Sequence, residues 1–259
     1  MHPSRVALFV HGYTDDSAVW QDLFSALSEK EVSDWQFNAI DLQAVQEETE
    51  DSERLLEAFA DQVVEYALDV AGDRDLVLVG HSMGGAVVEL AAGRLGKRVK
   101  GVILVTPAPL KGSPLPPDVM QRFESRLGTT DAEVIKAGRL AMSQSLTARG
   151  LTVLVNSSLM TGRRKGLQQL KAWTGGHRAG MAASPISAPV LVIATDDRFF
   201  TRSALAEATR RFARSSLAHI PAAGHWAHVE KPVELAYFVD EFLRSVSKPG
   251  FGFSPIRFE

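Results

Sequence analysis

The stretch Gly80-His81-Ser82-Met83-Gly84 follows the apolar run Asp75–Val79 and precedes the small-residue segment Gly85–Ala92. This order predicts a buried strand, a sharp turn and a helix, the setting in which a Gly-x-Ser-x-Gly pattern indicates a nucleophilic serine. The flanking glycines leave room in a turn too tight for Cβ atoms, and the turn would lift Ser82 Oγ above the sheet, at the N-terminus of the following helix. The alternative interpretation is an ordinary glycine-rich turn with a surface serine.

The bulk composition is that of an ordinary globular enzyme. Of the 259 residues, 45% are apolar and 23% are charged, which suits one large core with an insertion. The net charge of −3 argues against a nucleic-acid or anionic-membrane partner. The lack of cysteine excludes disulfides and thiolate chemistry, and no stretch approaches the ~20 apolar residues of a membrane span. No segment is typical of a secretory leader, so we expect a cytoplasmic protein.

Short β-rich runs alternate with segments of helical period along most of the chain. This alternation predicts an α/β fold, a mostly parallel sheet with helices on both faces. The predicted strands are Val6–Val10, Gln36–Ile40, Leu76–Val79, Val102–Val105, Val190–Ala194 and Ser216–Ile220. The predicted helices between them are Ser17–Leu27, Ser52–Val70, Gly85–Leu95, Ser203–Arg211 and Pro232–Val246.

The alternation breaks once, between two core strands. Residues 107–188 lack a convincing strand and show helical periods separated by turn-rich joints. We interpret them as a helical lid, with residues 1–106 and 189–247 as the core and residues 248–259 as an extended or partly disordered tail. The predicted lid helices are Pro117–Leu127, Asp131–Gln144, Leu151–Leu159 and Arg164–Trp173.

Two later segments offer partners for a nucleophilic serine. Thr195-Asp196-Asp197-Arg198 follows one predicted strand, and Gly224-His225-Trp226 follows the next. A serine hydroxyl needs a base to remove its proton and an acid to orient that base. Both segments lie at carboxyl ends of strands, where open α/β sheets keep their sites. The order serine, acid, histidine fits a Ser-His-Asp triad.

With these motifs the chain resembles the α/β-hydrolase-fold serine hydrolases of the small lidded esterase type. The resemblance extends from His11-Gly12 through Gly80–Gly84 and the aspartate pair to the stretch Gly224–Pro232. Many relatives carry a β-hairpin before the first of these motifs, whereas this sequence begins almost at its His-Gly strand.

The resemblance implies a role for each matching position. Ser82 would be the nucleophile, His225 the general base and then acid, and Asp197 the acid that orients the histidine. Backbone N–H groups of Tyr13 and Met83 would form the oxyanion hole, which stabilises the charge of the tetrahedral intermediate. No cofactor and no metal are implied.

The position of the acid depends on the alignment of one loop. In the family the acid stands three residues after a glycine that ends the strand, and Ala194 occupies that place here. This alignment favours Asp197 and leaves Asp196 as the alternative. A metal pair at His225 and His228 is a further alternative for the last segment.

A serine nucleophile excludes the dehalogenases and epoxide hydrolases of this fold, which use a carboxylate. Hydrolysis of small carboxylic esters or lactones is the leading interpretation. Thioester, amide or carbon–carbon bond hydrolysis, perhydrolysis and a non-enzymatic small-ligand receptor stay open. Because the predicted lid shows no basic pair dedicated to an anion, and Arg163-Arg164-Lys165 would face solvent, we expect uncharged substrates.

Overall fold

The computed structural model describes residues 3–30 and 34–247. Its centre, within these ranges, is a sheet of six parallel strands in the order β2-β1-β3-β4-β5-β6. Each strand contains the run predicted for it, which confirms the α/β fold with a parallel sheet. The strands are β1 Arg5–Val10, β2 Trp35–Ile40, β3 Asp75–His81, β4 Val99–Val105, β5 Val190–Thr195 and β6 Ser215–Ile220.

Helices cover both faces of this sheet. The α-helices are α1 Gln21–Ser28, α2 Ser52–Ala71, α3 Met83–Leu95, α4 Pro117–Arg126, α5 Ala132–Ala141, α6 Ala148–Met160, α7 Arg163–Gly175, α8 Arg202–Thr209, α9 Ala227–Glu230 and α10 Pro232–Ser247. Short 3₁₀ turns occupy Ser17–Trp20, Gly96–Arg98 and Arg178–Met181. No helix in the described part of the chain is both long and apolar enough to cross a membrane.

Alternate residues of β1 show how the layers are built. Val6, Leu8 and Val10 belong to the core beneath α2 and α3, whereas Ala7 and Phe9 belong to the core beneath α1 and α10. All five side chains are fully buried. Because successive side chains of a strand point to opposite faces, a strand covered on both sides is apolar throughout. This explains why β1 is a continuous apolar run.

The predicted helix bounds shift by one to four residues in the structure, and the local structure explains the shifts of three helices. Helix α6 starts at Ala148, three residues early, because the Thr147 side chain caps it by accepting the N–H of Gly150. Helix α5 starts after Asp131, which caps it, and ends before Met142, whose carbonyl accepts the N–H of His225. Helix α3 starts two residues early, directly after the turn that follows β3.

Residues 106–189, here called the inserted segment, connect two neighbouring strands of the sheet. Val105 of β4 pairs with Ile193 of β5, yet helices α4 to α7 all lie between those strands in the chain. Helix α7 packs on α2 and α3, and α5 packs on α6. The division into core and lid stays a prediction, and the predicted tail, residues 248–259, lies outside the described residues.

Candidate active site

Ser82 occupies a tight turn between β3 and α3. Its φ is +52°, a left-handed conformation that is strained for any residue with a Cβ atom. A Cβ atom at Gly80 would lie 2.4 Å from the Gly84 carbonyl oxygen, and one at Gly84 would lie 2.5 Å from the Val10 carbonyl oxygen. Only glycine therefore fits on either side of the serine, as the sequence predicts.

Backbone hydrogen bonds fix this turn against the neighbouring strand. The N–H of Ser82 donates to the carbonyl of Val105 at 3.1 Å, and the carbonyl of Ser82 accepts the N–H groups of Gly85 and Ala108, each at 2.9 Å. Such bonds hold a strained residue in place because the surrounding structure determines its conformation.

The structure brings His225 and Asp197 together. Nδ1 of His225 lies 2.7 Å from Oδ2 of Asp197, and both side chains are almost fully buried. Because a carboxylate only accepts, Nδ1 carries the proton of this hydrogen bond, which leaves Nε2 free to act as a base.

The Asp197 carboxyl is held in its ionised form. Burial by itself would raise its pKa, but the hydrogen bond and charge of His225 and the backbone N–H groups of Phe199 and Phe200 outweigh burial, so the pKa lies below the usual aspartate value. The Phe199 N–H donates to Oδ1 at 2.7 Å.

The Asp196 side chain contacts other partners than the Asp197 side chain does. Its Oδ1 lies 2.9 Å from Nε2 of His219, and its Oδ2 accepts the N–H of Ala222 at 2.8 Å. The side chain is 44% exposed. Asp196 therefore closes the turn after β6, while Asp197 contacts His225.

The backbone of His225 is fixed from three directions. Its carbonyl accepts hydrogen bonds from Nε2 of His81 and from Oγ1 of Thr106, both at 2.9 Å. Its N–H donates to the carbonyl of Met142 at 2.9 Å. The sequence indicates no role for His81, and the structure shows that its side chain supports His225.

Glu230 is a second supporting residue that sequence reasoning missed. Its buried carboxylate accepts the N–H groups of Gly224 at 2.9 Å and Trp226 at 3.2 Å, on either side of His225. It also accepts the N–H groups of Gln144 and Ser145 from the inserted segment, at 2.7 and 2.9 Å. A buried carboxylate needs several donors, so a glutamate inside the apolar stretch after His225 was a usable signal.

The two segments predicted to form the oxyanion hole touch each other beside Ser82. Met83 is the first residue of α3. Tyr13 follows Gly12, and a Cβ atom added at Gly12 would lie 2.8 Å from Nδ1 of His81 and 3.1 Å from Cβ of Ser82. The structure thus brings the backbone of Gly12 and Tyr13 next to the serine turn.

Ser82 and His225 line one pocket, with a volume of about 120 Å³. Its apolar walls come both from the inserted segment and from the loop after β5. They include Phe123, Met142, Trp173, Phe199 and Phe200. Two other apolar residues of the inserted segment do not line the pocket: Met160 is 80% exposed, and Leu146 packs in the core on the α1 side.

Two arginines of the inserted segment also line the pocket, which the sequence did not predict. Arg139 is buried, lies 2.8 Å from Oδ1 of Asp15 and stands 4.8 Å over the Trp226 ring. Arg126 lies at the exposed rim, with no acidic partner within 4 Å among the described residues. In the cluster predicted to face solvent, Arg163 and Arg164 are exposed, and Arg164 also donates to the carbonyls of Val45 and Gln46.

His228 is buried behind the pocket rather than paired with His225 as a metal site. Its ring stacks 4.3 Å from the Trp20 ring, and neither nitrogen has a hydrogen-bond partner in the described part of the chain. Burial, together with repulsion by charge on His225 and Arg139, holds its pKa well below the usual histidine value. Among residues 3–30 and 34–247, no group of three histidine or carboxylate side chains comes together in a metal-binding arrangement.

Comparison with known proteins agrees with this architecture. Residues 6–232 match the model of a family described as the alpha/beta hydrolase fold. The chain belongs to the α/β-hydrolase-fold family. A Mycoplasma genitalium protein named as an esterase/lipase is 30% identical over 105 residues, which span 40% of this chain and 38% of that protein.

Solved structures extend the likeness of this α/β-hydrolase to nearly the whole chain. An esterase from Exiguobacterium antarcticum has a TM-score of 0.80 at 13% identity and covers 95% of this chain and 94% of its own. The enol-lactonase from Burkholderia xenovorans LB400 has a TM-score of 0.74 at 19% identity, with coverage of 93% and 92%. At these identities the likeness shows the fold alone.

Proposed function

We propose that this α/β-hydrolase is a serine hydrolase that cleaves small carboxylic esters or lactones through an acyl-enzyme on Ser82. The observation that carries the proposal is the buried 2.7 Å contact between His225 Nδ1 and Asp197, in a pocket that Ser82 also lines. A nucleophile, a base and an acid that orients the base are the three parts that acyl transfer requires.

In the proposed first half-reaction, Ser82 Oγ attacks the carbonyl carbon of the ester while its proton passes to Nε2 of His225. The tetrahedral oxyanion accepts hydrogen bonds from the backbone N–H groups of Tyr13 and Met83. Collapse of this intermediate breaks the carbon–oxygen bond to the alcohol, which leaves with the proton from His225. Asp197 stabilises the imidazolium formed in between.

In the second half-reaction, a water molecule attacks the acyl-enzyme and gives its proton to His225. The second tetrahedral intermediate then releases the carboxylic acid, and Ser82 recovers its proton from His225. The atoms balance as one ester and one water yielding one acid and one alcohol. No cofactor takes part.

The pocket supports a small, uncharged acyl group. Its walls include Phe123, Phe199 and Phe200, and the charge of Arg139 is compensated by Asp15, so among the described residues the uncompensated charge of Arg126 stays at the exposed rim. We propose that the inserted segment roofs this pocket as a lid. Each buried methylene then adds up to ~0.8 kcal/mol of binding until the closed space is filled.

A homologous series of aryl esters from acetyl to palmitoyl tests this proposal, with a lactone and a thioester of matched acyl size measured beside it. We expect kcat/KM to be highest for short to medium chains and to decline for long ones. A value that rises to palmitoyl would indicate an open, lipase-like groove. A thioester preferred over its matched ester would change the bond class. Tight binding without turnover would indicate a receptor.

A further inference from the structure

Thr14, the residue after Tyr13, is held from two sides by the inserted segment. Its φ is +53°, a conformation that β-branched residues rarely adopt. Its backbone N–H donates to Oε1 of Gln169 on α7 at 3.0 Å, and its carbonyl accepts from Nη2 of Arg139 on α5 at 2.9 Å. The backbone N–H and carbonyl of this strained residue therefore both depend on side chains from more than a hundred residues away.

Gln169 makes this contact at a cost. The side chain is fully buried, and its amide oxygen must face Thr14 because a backbone N–H can only donate. The remaining Nε2 has no hydrogen-bond partner among the described residues. An apolar side chain would avoid that unsatisfied donor. The contact with Thr14 is the one benefit of an amide here that the described hydrogen bonds reveal.

Arg139 is itself locked in place. Its guanidinium contacts Asp15 at 2.8 Å and Oγ of Ser158 at 3.1 Å, and it stands over the Trp226 ring. A planar guanidinium with several fixed partners transmits its position rigidly to the carbonyl that it binds.

We propose that Gln169 and Arg139 are positioning residues that hold the Tyr13 N–H in its orientation in the oxyanion hole. Gln169 fixes the peptide plane between Tyr13 and Thr14, which adjoins the Gly12–Tyr13 plane that carries the Tyr13 N–H, and Arg139 fixes the plane between Thr14 and Asp15. Losing either contact lets the strained φ of Thr14 relax, which rotates the donor away from the developing charge. The inference rests on the proposed function, and it makes the inserted segment part of the catalytic machinery as well as a roof.

The adjacent residue Gln168 provides a matched control. It lies on the same helix, is also buried, and makes two hydrogen bonds at 2.9 Å to the backbone of Val45, which does not line the pocket. Gln169→Met and Gln168→Met are the same near-isosteric change, and only the first removes a contact to the oxyanion segment.

We expect Gln169→Met to lower kcat for an aryl acetate by on the order of 10- to 100-fold, because catalysis is sensitive to small displacements of an oxyanion donor. KM should stay within about two-fold, since the contact acts on the transition state. The inhibition constant of an arylboronic acid, whose tetrahedral adduct places an oxygen in the same hole, should rise by a similar factor. Gln168→Met should lower Tm and leave kcat and the inhibition constant near wild-type values.

Wild-type kcat in Gln169→Met, or an equal loss of kcat in Gln168→Met, would overturn the positioning role. If Gln169→Met does not fold, Arg139→Lys makes the same measurement, because lysine keeps the charge beside Asp15 and loses the planar fork. Failure of the proposed function is distinguishable. An active Ser82→Ala enzyme contradicts the acyl-enzyme itself, whereas an inactive Ser82→Ala beside a fully active Gln169→Met contradicts only the positioning.

Discussion

The candidate triad and the residues around Thr14 are positioned by two different kinds of structure. Ser82, Asp197 and His225 lie on short turns after β3, β5 and β6, where backbone hydrogen bonds and glycine contacts fix them. Arg139 and Gln169 lie on separate helices of the inserted segment and act through side chains alone. The turns after the strands therefore hold the candidate triad mainly through backbone hydrogen bonds, which at His225 include one to Met142 of the inserted segment. The surroundings of Thr14 depend instead on side chains that are distant in the sequence.

This difference leads us to expect two kinds of mutational response. A change on the sheet side removes a reacting group or its partner, so the loss is nearly complete. A change on the inserted side displaces a group that is still present, so the loss is graded. Gln169→Met is the graded case, and Ser82→Ala and Asp197→Asn are the nearly complete ones.

Ser82→Ala should lower kcat for an activated ester by about 10⁴-fold or more, because the triad residues act as a unit. The circular dichroism spectrum and Tm should stay close to wild type, since one buried hydroxyl is lost from a turn that the backbone fixes. Ser245→Ala, which removes a buried hydroxyl in α10, is the matched control and should keep full activity. A Ser82→Ala enzyme that keeps more than about a tenth of the rate would contradict a serine nucleophile.

Asp197→Asn and Asp196→Asn compare the two adjacent aspartates in the loop after β5. Asp197→Asn should lower kcat by about 10³-fold or more, because the amide no longer holds the histidine tautomer or stabilises the imidazolium. Asp196→Asn should stay within about three-fold, since its partners are His219 and the backbone of Ala222. Steady-state kinetics of the two variants decide the matter, and the reverse order would mean that Asp196 orients the base in the working enzyme.

The smallest effect is expected behind the triad, at His228. Because burial depresses its pKa in the folded protein, the unfolded chain binds the proton first as pH falls below about 6.5. The contribution of neutral His228 to the free energy of unfolding is therefore complete above pH 6.5. It is lost as the pH falls towards the pKa that His228 has in the folded protein. Replacing His228 with leucine removes this penalty.

Urea unfolding at pH 5 and pH 8 measures the effect. Relative to wild type, His228→Leu should gain up to about 2 kcal/mol more in the free energy of unfolding at pH 5 than at pH 8. His81→Leu is the informative comparison, because it loses the hydrogen bond to the His225 carbonyl and should lower activity at both pH values. An equal gain for His228→Leu at both pH values would show that packing, rather than protonation, decides its contribution.

The sequence predicted what depends on neighbours in the chain. All six strands and the glycine-flanked serine turn were identified because apolar runs and tight turns are local patterns. The alignment of the loop favoured Asp197 over Asp196 as the acid, and the 2.7 Å contact between Asp197 and His225 agrees with that choice. The catalytic roles themselves stay predictions for the variants above.

What the sequence did not predict depends on how distant elements pack. The pair of Asp15 and Arg139 joins the segment after β1 to helix α5, and no periodicity indicates such a partner. For the same reason, the sequence did not indicate that Arg126 and Arg139 line the pocket. Gln169 is one of two adjacent buried glutamines, and only the packing of α7 on α2 and α3 determines which of them contacts Thr14.

The adjacency of β4 and β5 also has a consequence for engineering. Because the inserted segment leaves and rejoins the sheet at neighbouring strands, a chimera could exchange it for a foreign segment joined after Val105 and before Val190. Such a graft would keep the strand order and all three triad residues. It would still work slowly unless the graft supplied an acceptor for the Thr14 N–H and a donor for its carbonyl, and also replaced the contacts that Thr106, Ala108 and Met142 make to Ser82 and His225. Transplanting specificity in this scaffold therefore means carrying these contacts along with the new pocket walls.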